Sequence, residues 1–217
     1  MRSEELAGVE LYLVTDASPR VPDLQRFLIA AIDAGVDMVQ LRDRSLTDGR
    51  LLETARFFAE VCRDNGALFI VNDRPDIALA CGADGVHLGQ DDLPPDDVRA
   101  LVGDDFIIGL STHSPAQVDA AVRTRADYIA VGPVHETPTK PGRPAVGLDL
   151  VRYAAANVRV PFFAIGGIDA SNVGSVAQAG AKAVAVLRAI SQADDPAAAT
   201  AKLLASLRSN RTPAVRS

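Results

Sequence analysis

The chain has 217 residues, which fits one large domain or two small ones, and its apolar fraction of 48% is normal for a globular protein. Its formal net charge of −6, from 22 basic and 28 acidic residues, argues against non-specific nucleic-acid binding, which needs a basic face. No stretch approaches the ~20 apolar residues of a membrane span, and no signal-peptide pattern begins the sequence. Cys62 and Cys81 are neither paired in a C-x-x-C motif nor clustered with histidines, which indicates a reducing compartment. We therefore expect a cytoplasmic protein with no nucleic-acid or membrane partner.

Short apolar runs alternate with amphipathic stretches along the whole chain, and each pair predicts one strand followed by one helix. We expect strands at 10–14, 36–41, 67–71, 84–88, 106–108, 126–131, 160–165 and 181–187. We expect helices at 22–34, 46–65, 75–80, 95–101, 115–122, 148–156, 170–179 and 196–207, and a frayed tail after about residue 209.

The eight strand–helix units predict an α/β fold, a single (β/α)8 TIM barrel occupying residues 1–217. Its strands are apolar on both faces, as parallel strands covered on both sides must be. Gly35, Gly82 and Gly180 each fall between a predicted helix and the next strand, where a C-cap glycine is expected. The alternative is a doubly wound open sheet, which normally has a Gly-rich turn after its first strand. Residues 15–19, Thr-Asp-Ala-Ser-Pro, contain no glycine, which favours the barrel.

Polar residues follow the second predicted strand, at the end where a barrel gathers its active site. Gln40, Arg42 and Arg44 share one face of an extended chain. Arginine can hold phosphate through two hydrogen bonds at once, and buried polar groups are unfavourable without a partner. We predict an anion site here; the alternative is a solvated salt bridge with Asp43.

Two carboxylates lie on neighbouring loops, Asp73 after the third strand and Asp92 after the fourth. Without a nearby cysteine or histidine cluster, such a pair suits Mg²⁺, which uses one or two carboxylates and lets substrate phosphates complete its shell. The alternative is that each aspartate caps a helix, Asp73 before Pro75 and Asp92 before Pro94.

Further candidate phosphate ligands lie after the later strands. Ser111 is free to donate because Ser114 is the better helix cap. A glycine pair after strand seven and a helix start after strand eight form the usual phosphate site of this fold.

The stretch 131–144 contains four prolines, which exclude a helix. It also contains two hydroxyls and an ammonium that suit a phosphate ester, and it is a candidate lid; the alternative is an ordinary Pro-rich connection. Those three residues are Thr137, Thr139 and Lys140.

The three histidines, at positions 87, 113 and 135, lie beside apolar residues. A lone histidine in such a setting is more often a structural hydrogen-bonding group than a catalyst. We assign none of them a chemical role.

With these motifs in view, residues 11–190 resemble the thiamine-phosphate synthase (thiamine-phosphate pyrophosphorylase) family. The resemblance rests on ordered motifs at successive strand ends: Q-L-R-D-R, V-N-D-R, H-L-G-Q-D-D, G-L-S-T-H, G-P-V-x-x-T-P-T-K-P-G, I-G-G-I and R-A-I. It implies an enzyme that joins hydroxymethylpyrimidine pyrophosphate to a thiazole phosphate and releases pyrophosphate. The family ionises the first substrate to a pyrimidine methyl cation, which the thiazole nitrogen then attacks.

The resemblance also implies roles for individual residues, with phosphorylated small molecules as the only partners; whether the chain forms a homo-oligomer stays open. Arg42, Arg44, Ser111 and Lys140 would form the catalytic group around the pyrophosphate, joined there by Gln40 and Asn72. Asp73 and Asp92 would hold Mg²⁺. The thiazole phosphate would contact Thr137, Thr139, Gly167, Leu187 and Arg188. The chain departs from the family in two places, since lysine is commoner than Arg44 and serine is often found in place of Arg188.

Two alternative functions remain. A thiazole tautomerase of the same superfamily also carries an R-x-R strand end, but it lacks both metal aspartates. It places a catalytic histidine directly after the strand-six glycine, where this chain has Pro133, with His135 two residues on. A non-catalytic phosphate sensor on a barrel scaffold would have no use for the two carboxylates.

Overall fold

Eight parallel strands form a closed sheet in the computed structural model, which describes residues 2–137 and 144–211. Each strand pairs with the next in chain order, and the last pairs with the first. The closed sheet confirms the predicted (β/α)8 barrel and rules out the open doubly wound sheet. The strands are β1 (Leu11–Thr15), β2 (Met38–Leu41), β3 (Leu68–Asn72), β4 (Gly85–Leu88), β5 (Ile107–Thr112), β6 (Tyr128–Val131), β7 (Phe162–Ile165) and β8 (Ala183–Val186).

One helix precedes β1, and the longer helices that follow the strands cover the outside of the barrel. They are α1 (Arg2–Ala7), α2 (Leu24–Asp33), α3 (Asp48–Asp64), α4 (Pro75–Cys81), α5 (Pro95–Val102), α6 (Pro115–Ala121), α7 (Gly147–Asn157), α8 (Val173–Gln178), α9 (Arg188–Ser191) and α10 (Pro196–Ser209). In the part of the chain that the structure describes, no helix has the length and apolar character needed to cross a membrane.

The alternation of side chains along each strand divides the apolar residues into two clusters. Outward-facing residues such as Leu11, Leu13 and Val39 pack under the helices in the larger cluster. Inward-facing residues such as Tyr12 and Met38 fill the barrel itself. This division places Gln40, two residues after Met38, on the inside of the barrel.

Helix α1 was not predicted, because six residues are too few to show a helical period. The structure explains its presence by burial. Leu6, at the end of α1, and Val9 are 1% and 6% exposed and pack with Tyr12 and Ile107 in the interior cluster. The helix therefore fills the end of the barrel opposite the strand termini that carry the polar residues.

The fifth strand is longer than predicted, since β5 runs to Thr112 and includes Ser111. A glycine and two hydroxyl residues do not look like a strand in sequence. Gly109 is needed here because a Cβ at this position would lie 2.6 Å from the Nδ1 atom of His87 and would overlap the Tyr128 ring. The helix after β5 begins as expected, since the Ser114 side chain accepts a hydrogen bond from the N–H of Gln117.

The predicted tail lies largely outside the described residues. Its first part is held in place, because Arg211 forms an ion pair with Glu10 and donates to the carbonyl of Lys182. These contacts tie the end of the last helix to the segment before β1.

Candidate active site

A cavity of about 380 Å³ opens where the strands end, and each of the eight strands, or the loop directly after it, supplies part of its wall. Among the predicted site residues, the wall includes Gln40, Arg42, Asn72, Ser111, Thr137, Gly167, Leu187 and Arg188. Residues separated by almost 150 positions in sequence are thus brought around one space. Of the other three predicted ligands for the phosphates, Arg44 lies beside the cavity, and Thr139 and Lys140 lie outside the described residues, as does most of the candidate lid.

The inner face of β2 carries the cationic side of the cavity. Gln40 is 3% exposed, and Arg42, the next inward-facing position, is half-buried. Burial, reinforced by the neighbouring Arg44 guanidinium, lowers the pKa of Arg42, while Asp73 opposes that change. Even a lowered arginine pKa leaves the side chain charged at neutral pH. Arg42 is therefore a desolvated cation whose charge an anionic ligand would neutralise.

Arg44 does not continue this inner face, because β2 ends at Leu41 and its pairing with β1 extends only to the N–H of Arg42. Its side chain is 69% exposed and donates from Nη2 to Oδ2 of Asp73 at 3.0 Å. Arg44, Asp73 and Asp92 form a group beside the cavity rather than on its wall, within the described part of the chain.

The two aspartates are neighbours, and the Asp73 carboxyl is close enough to influence the ionisation of Asp92. Burial raises the pKa of the Asp92 carboxyl, and the adjacent Asp73 carboxyl raises it further, against opposing effects of the Gly89 N–H and Arg44. Two neighbouring carboxyl groups repel when both are ionised. A cation between them would relieve that repulsion.

Neither aspartate acts as a helix cap. The residue that caps α4 is Arg74, and no side-chain cap is present there. Oδ2 of Asp92 accepts from the Gly89 N–H at 2.7 Å, within its own loop, and α5 is preceded by Pro94. The capping alternative is therefore wrong for both positions.

Asp73 has an unusual backbone conformation, with a φ of 61°. Left-handed backbone is uncommon for residues other than glycine, although Asp and Asn tolerate it best, and it is often found at functional sites. The Asp73 N–H donates to the carbonyl of His87 at 2.8 Å, which holds the turn against β4. Asp73 thus combines an uncommon backbone conformation with a position close to Asp92.

The donor set fits Mg²⁺. In residues 2–137 and 144–211, no group of three or more His, Cys, Asp or Glu side chains is placed to hold a metal ion. A pair of carboxylates with water and phosphate completing the shell is how Mg²⁺ is usually held beside phosphorylated substrates.

The opposite side of the cavity is built from the loops after β6, β7 and β8. Gly166 and Gly167 have φ values of 104° and 62°. A Cβ at Gly167 would lie 2.7 Å from the carbonyl oxygen of Glu136, so only glycine fits between these loops. The short helix α9 begins at Arg188 on the cavity wall. Backbone N–H groups at such a place suit a phosphate.

A buried chain of hydrogen bonds, which the sequence did not reveal, crosses the floor of the cavity. Nε2 of Gln40 donates to the Tyr12 hydroxyl, and the hydroxyls of Tyr12 and Tyr128 are 2.9 Å apart. The Tyr128 hydroxyl lies 3.0 Å from Nδ1 of His87, whose Nε2 lies 2.9 Å from Oγ of Ser111. These five side chains, which we call the Gln40–Ser111 relay, are all at most 7% exposed.

This relay could have been recognised in the sequence from polar residues at inward-facing positions of otherwise apolar strands. Such positions in β1, β4 and β6 are occupied by Tyr12, His87 and Tyr128, respectively. The three aromatic rings also pack against one another, and the ring centroids of His87 and Tyr128 are 5.6 Å apart. The interpretation of His87 as a structural hydrogen-bonding residue agrees with these contacts. Other wall residues that were not predicted are His113, Glu136, Asp169 and Gln192.

The relay tyrosines predict a loss of stability in alkali. Burial raises the pKa of both Tyr12 and Tyr128 above the usual 10. Because the folded-state pKa is the higher one, the stabilisation is complete below about pH 10 and is lost as the pH rises further. Each tyrosine adds a slope of about 1.4 kcal/mol per pH unit to the free energy of unfolding. The full slope is reached only above pH 10, so urea unfolding from pH 9 to 11 should show an average slope shallower by about half that amount in Tyr12→Phe; equal slopes would contradict the prediction.

Fold and site together define a class of protein: a (β/α)8-barrel enzyme whose cavity wall carries arginines and a glycine-rich loop. A family model described as thiamine monophosphate synthase matches residues 11–190. The chain belongs to this family, whose members are transferases.

Individual relatives agree with that assignment. The chain is 55% identical over 204 residues to a thiamine-phosphate synthase of Acidothermus cellulolyticus, covering 93% of this chain and 96% of the relative. It is 50% identical over 207 residues to one of Streptomyces avermitilis, covering 94% and 96%. A solved thiamine phosphate pyrophosphorylase from Pyrococcus furiosus superposes with a TM-score of 0.86 at 30% identity, covering 97% and 99%. A 3-hexulose-6-phosphate synthase, with a TM-score of 0.67 at 20% identity over 92% of this chain and all of that one, shares the fold alone.

Proposed function

We propose that this protein joins hydroxymethylpyrimidine pyrophosphate to a thiazole phosphate, giving thiamine phosphate and pyrophosphate. The observation that carries the proposal is the arrangement of residues around the cavity at the strand ends. A cationic wall and a carboxylate pair lie at β2–β4, and a glycine-rich phosphate site lies across the cavity at β6–β8. Two phosphorylated substrates can enter from opposite sides and meet over the barrel floor. Such pre-alignment supplies much of the rate enhancement in a reaction between two molecules.

The departing pyrophosphate is held by the cationic side. Arg42 neutralises charge from the cavity wall, and Ser111 donates a hydrogen bond. Arg44 stands beside the carboxylate pair, 3.0 Å from Asp73, where it can contact an outer phosphate oxygen. Gln40 and Asn72 complete this side. Lys140 is proposed for the same group from its sequence position alone.

Asp73 and Asp92 are proposed as the protein ligands of Mg²⁺. When bound, the ion supplies positive charge that stabilises pyrophosphate as a leaving group. Arg44 then holds the Asp73 carboxylate in position from the solvent side, and the Gly89 N–H does the same for Asp92. The reaction needs no strong general base, because the thiazole nitrogen attacks with its own lone pair.

The thiazole phosphate is proposed to bind at Gly167 and at the Leu187–Arg188 peptide, with Thr137 above it. Arg188, which stands where the family often has serine, adds a positive charge to a site that otherwise depends on backbone N–H groups. Thr139 is assigned to the same site from the sequence. We place the enzyme in the cytoplasm because its two cysteines, Cys62 and Cys81, are both free.

One turnover assay tests the proposal: both phosphorylated substrates are mixed with Mg²⁺, and thiamine phosphate and pyrophosphate are measured. We expect both products in equal amounts. A tautomerase would convert the thiazole phosphate without consuming the pyrimidine pyrophosphate. A sensor would bind without turnover. Calorimetric titration with pyrophosphate adds a second reading, because only the proposed synthase should bind it more tightly with Mg²⁺ present.

Gly167→Ala should weaken thiazole-phosphate binding selectively. The new Cβ would clash with the carbonyl of Glu136 at 2.7 Å and move the backbone that faces the phosphate. We expect KM for the thiazole phosphate to rise about 10-fold, the loss of one good hydrogen bond to a charged group, with KM for the pyrimidine pyrophosphate changed less than twofold.

The matched control is Gly66→Ala, because Gly66 also has a positive φ of 76° but has open space around its missing Cβ. It isolates the backbone strain of such a substitution, about 1 kcal/mol, and should leave both KM values unchanged. Equal rises in both KM values for Gly167→Ala would argue against a thiazole-specific site.

A further inference from the structure

The Gln40–Ser111 relay connects two residues of the proposed pyrophosphate side through three other buried side chains. Gln40 lies on β2 and Ser111 on β5, on opposite sides of the barrel, and Tyr12, Tyr128 and His87 bridge them. The relay uses inward-facing positions of five strands. An apolar interior would pack at least as well, so five mutually paired polar groups call for an explanation beyond stability.

The order of protons along the relay follows from simple counting. Nε2 of Gln40 can only donate, so the Tyr12 hydroxyl accepts from it. A phenol has one proton, and Tyr12 therefore donates to Tyr128, which in turn donates to Nδ1 of His87. Because Nδ1 of His87 accepts a hydrogen bond, the proton of the neutral ring lies on Nε2. Nε2 therefore donates to Oγ of Ser111. The Ser111 proton is then left to point into the cavity.

The reverse order would have the opposite effect on an anion. If Ser111 donated to His87, only lone pairs of its oxygen would face the cavity. A hydroxyl that presents a proton attracts phosphate oxygen, and one that presents only lone pairs repels it. The direction of the relay therefore decides whether Ser111 helps or hinders pyrophosphate binding.

Two local features hold the relay in this arrangement. Gly109 leaves room for the Tyr128–His87 contact, because a Cβ there would lie 2.6 Å from the His87 Nδ1 atom. Nε2 of Gln90 donates to the Ser111 carbonyl at 2.6 Å, which fixes the backbone that carries the hydroxyl. Burial also keeps both phenols protonated, since it raises the pKa of each.

We propose that His87, Tyr128 and Tyr12 are positioning residues that hold His87 as the neutral Nε2–H tautomer and so orient the Ser111 hydroxyl as a donor to the pyrophosphate. This inference rests on the proposed function, and it assigns a role to residues that the site prediction left without one. The three residues act through Ser111 at one end and Gln40 at the other.

The decisive experiment is ¹⁵N NMR of the histidine rings in the full-length, ¹⁵N-histidine-labelled enzyme. His113→Gln and His135→Gln identify the other two histidines by loss of their signals. At neutral pH we expect His87 to show a protonated Nε2 and an unprotonated Nδ1. A proton on Nδ1, on both nitrogens or in exchange between them would overturn the proposal. This reading needs no turnover, so it is separate from a failure of the proposed function, which the product assay reports.

Kinetics of Tyr128→Phe test the functional consequence. The change removes the hydroxyl that donates to His87 and keeps the ring; we expect kcat to fall about 10-fold with KM for the thiazole phosphate changed less than twofold. The matched control is Tyr153→Phe, which removes a hydroxyl bound to Asp119 between two outer helices, and it should retain wild-type kcat. A folded Tyr128→Phe enzyme with wild-type kcat would refute the positioning role.

A pair of variants at the histidine completes the test. His87→Gln keeps an N–H of similar reach toward Ser111, whereas His87→Leu keeps only bulk. We expect His87→Gln to retain at least tenfold more activity than His87→Leu. Equal activities would show that the ring only fills space. If either variant fails to fold, the NMR result on the wild-type enzyme decides the proposal alone.

Discussion

Asp73→Asn is expected to abolish the Mg²⁺ dependence of pyrophosphate binding and to lower kcat by about 10³-fold, since metal stabilisation of a leaving group supplies several kcal/mol. Asp73 is one of two neighbouring carboxyl groups beside the cavity, and the amide removes half of that charge. Asparagine is the appropriate replacement because Asp73 has a φ of 61°, which asparagine tolerates and alanine does not. Calorimetric titration with pyrophosphate, with and without Mg²⁺, measures the first effect, and steady-state turnover measures the second.

The matched control is Asp91→Asn, which makes the same change of charge at an exposed position next to Asp92. It should keep both the metal dependence and kcat. Asp92→Asn should resemble Asp73→Asn, because the two carboxylates are proposed to share one ion. Retention of Mg²⁺-dependent binding by both Asp73→Asn and Asp92→Asn would exclude the proposed metal site.

Arg42→Ala should lower kcat/KM for the pyrimidine pyrophosphate by about 10²–10³-fold, the usual loss when one fixed donor to a developing anion is removed. Arg42 is half-buried on the cavity wall, and burial lowers its pKa, so its charge is poorly hydrated until an anion binds. Arg42→Lys keeps the charge without the two-pronged geometry and should recover about a tenth of the activity. Initial rates at varied concentrations of each substrate give the comparison.

Arg50→Ala is the control for this series, since Arg50 forms an exposed ion pair with Glu53 on α3. Surface pairs of this kind contribute at most about 1 kcal/mol to stability, and we expect unchanged kinetics. If Arg42→Ala raised only KM for the thiazole phosphate, the assignment of β2 to the pyrophosphate side would be wrong.

Much of the candidate site could be read from the order of motifs. Gln40 and Arg42 were expected to share a face, and both reach the cavity, because the N–H of Arg42 still donates to the Thr15 carbonyl one residue past the end of β2. The same rule failed for Arg44, because the strand ends at Leu41 and the chain turns outward to meet Asp73. Periodicity describes a side chain's direction only while the regular backbone continues.

The longer β5 and the unpredicted α1 show another limit of local patterns. Gly109 and Ser111 are residues typical of turns, yet both lie in the strand, which ends at Thr112, whose hydroxyl donates to the carbonyl of Ala130 at 3.1 Å. Helix α1 is explained by the end of the barrel that it fills. In both cases contacts with distant parts of the chain outweigh the local preference.

By itself, the sequence determined the eight strand–helix units, the barrel they form and the family to which the chain belongs, because those depend on periodicity and motifs that are local in the chain. Only the tertiary structure decided that Asp73 and Asp92 are neighbours, and that Tyr12, Tyr128 and His87 join Gln40 to Ser111 across the barrel. Hydrogen bonds between side chains act over about 3 Å. Which groups come that close depends on the closure of the whole sheet and on the space left by residues such as Gly109.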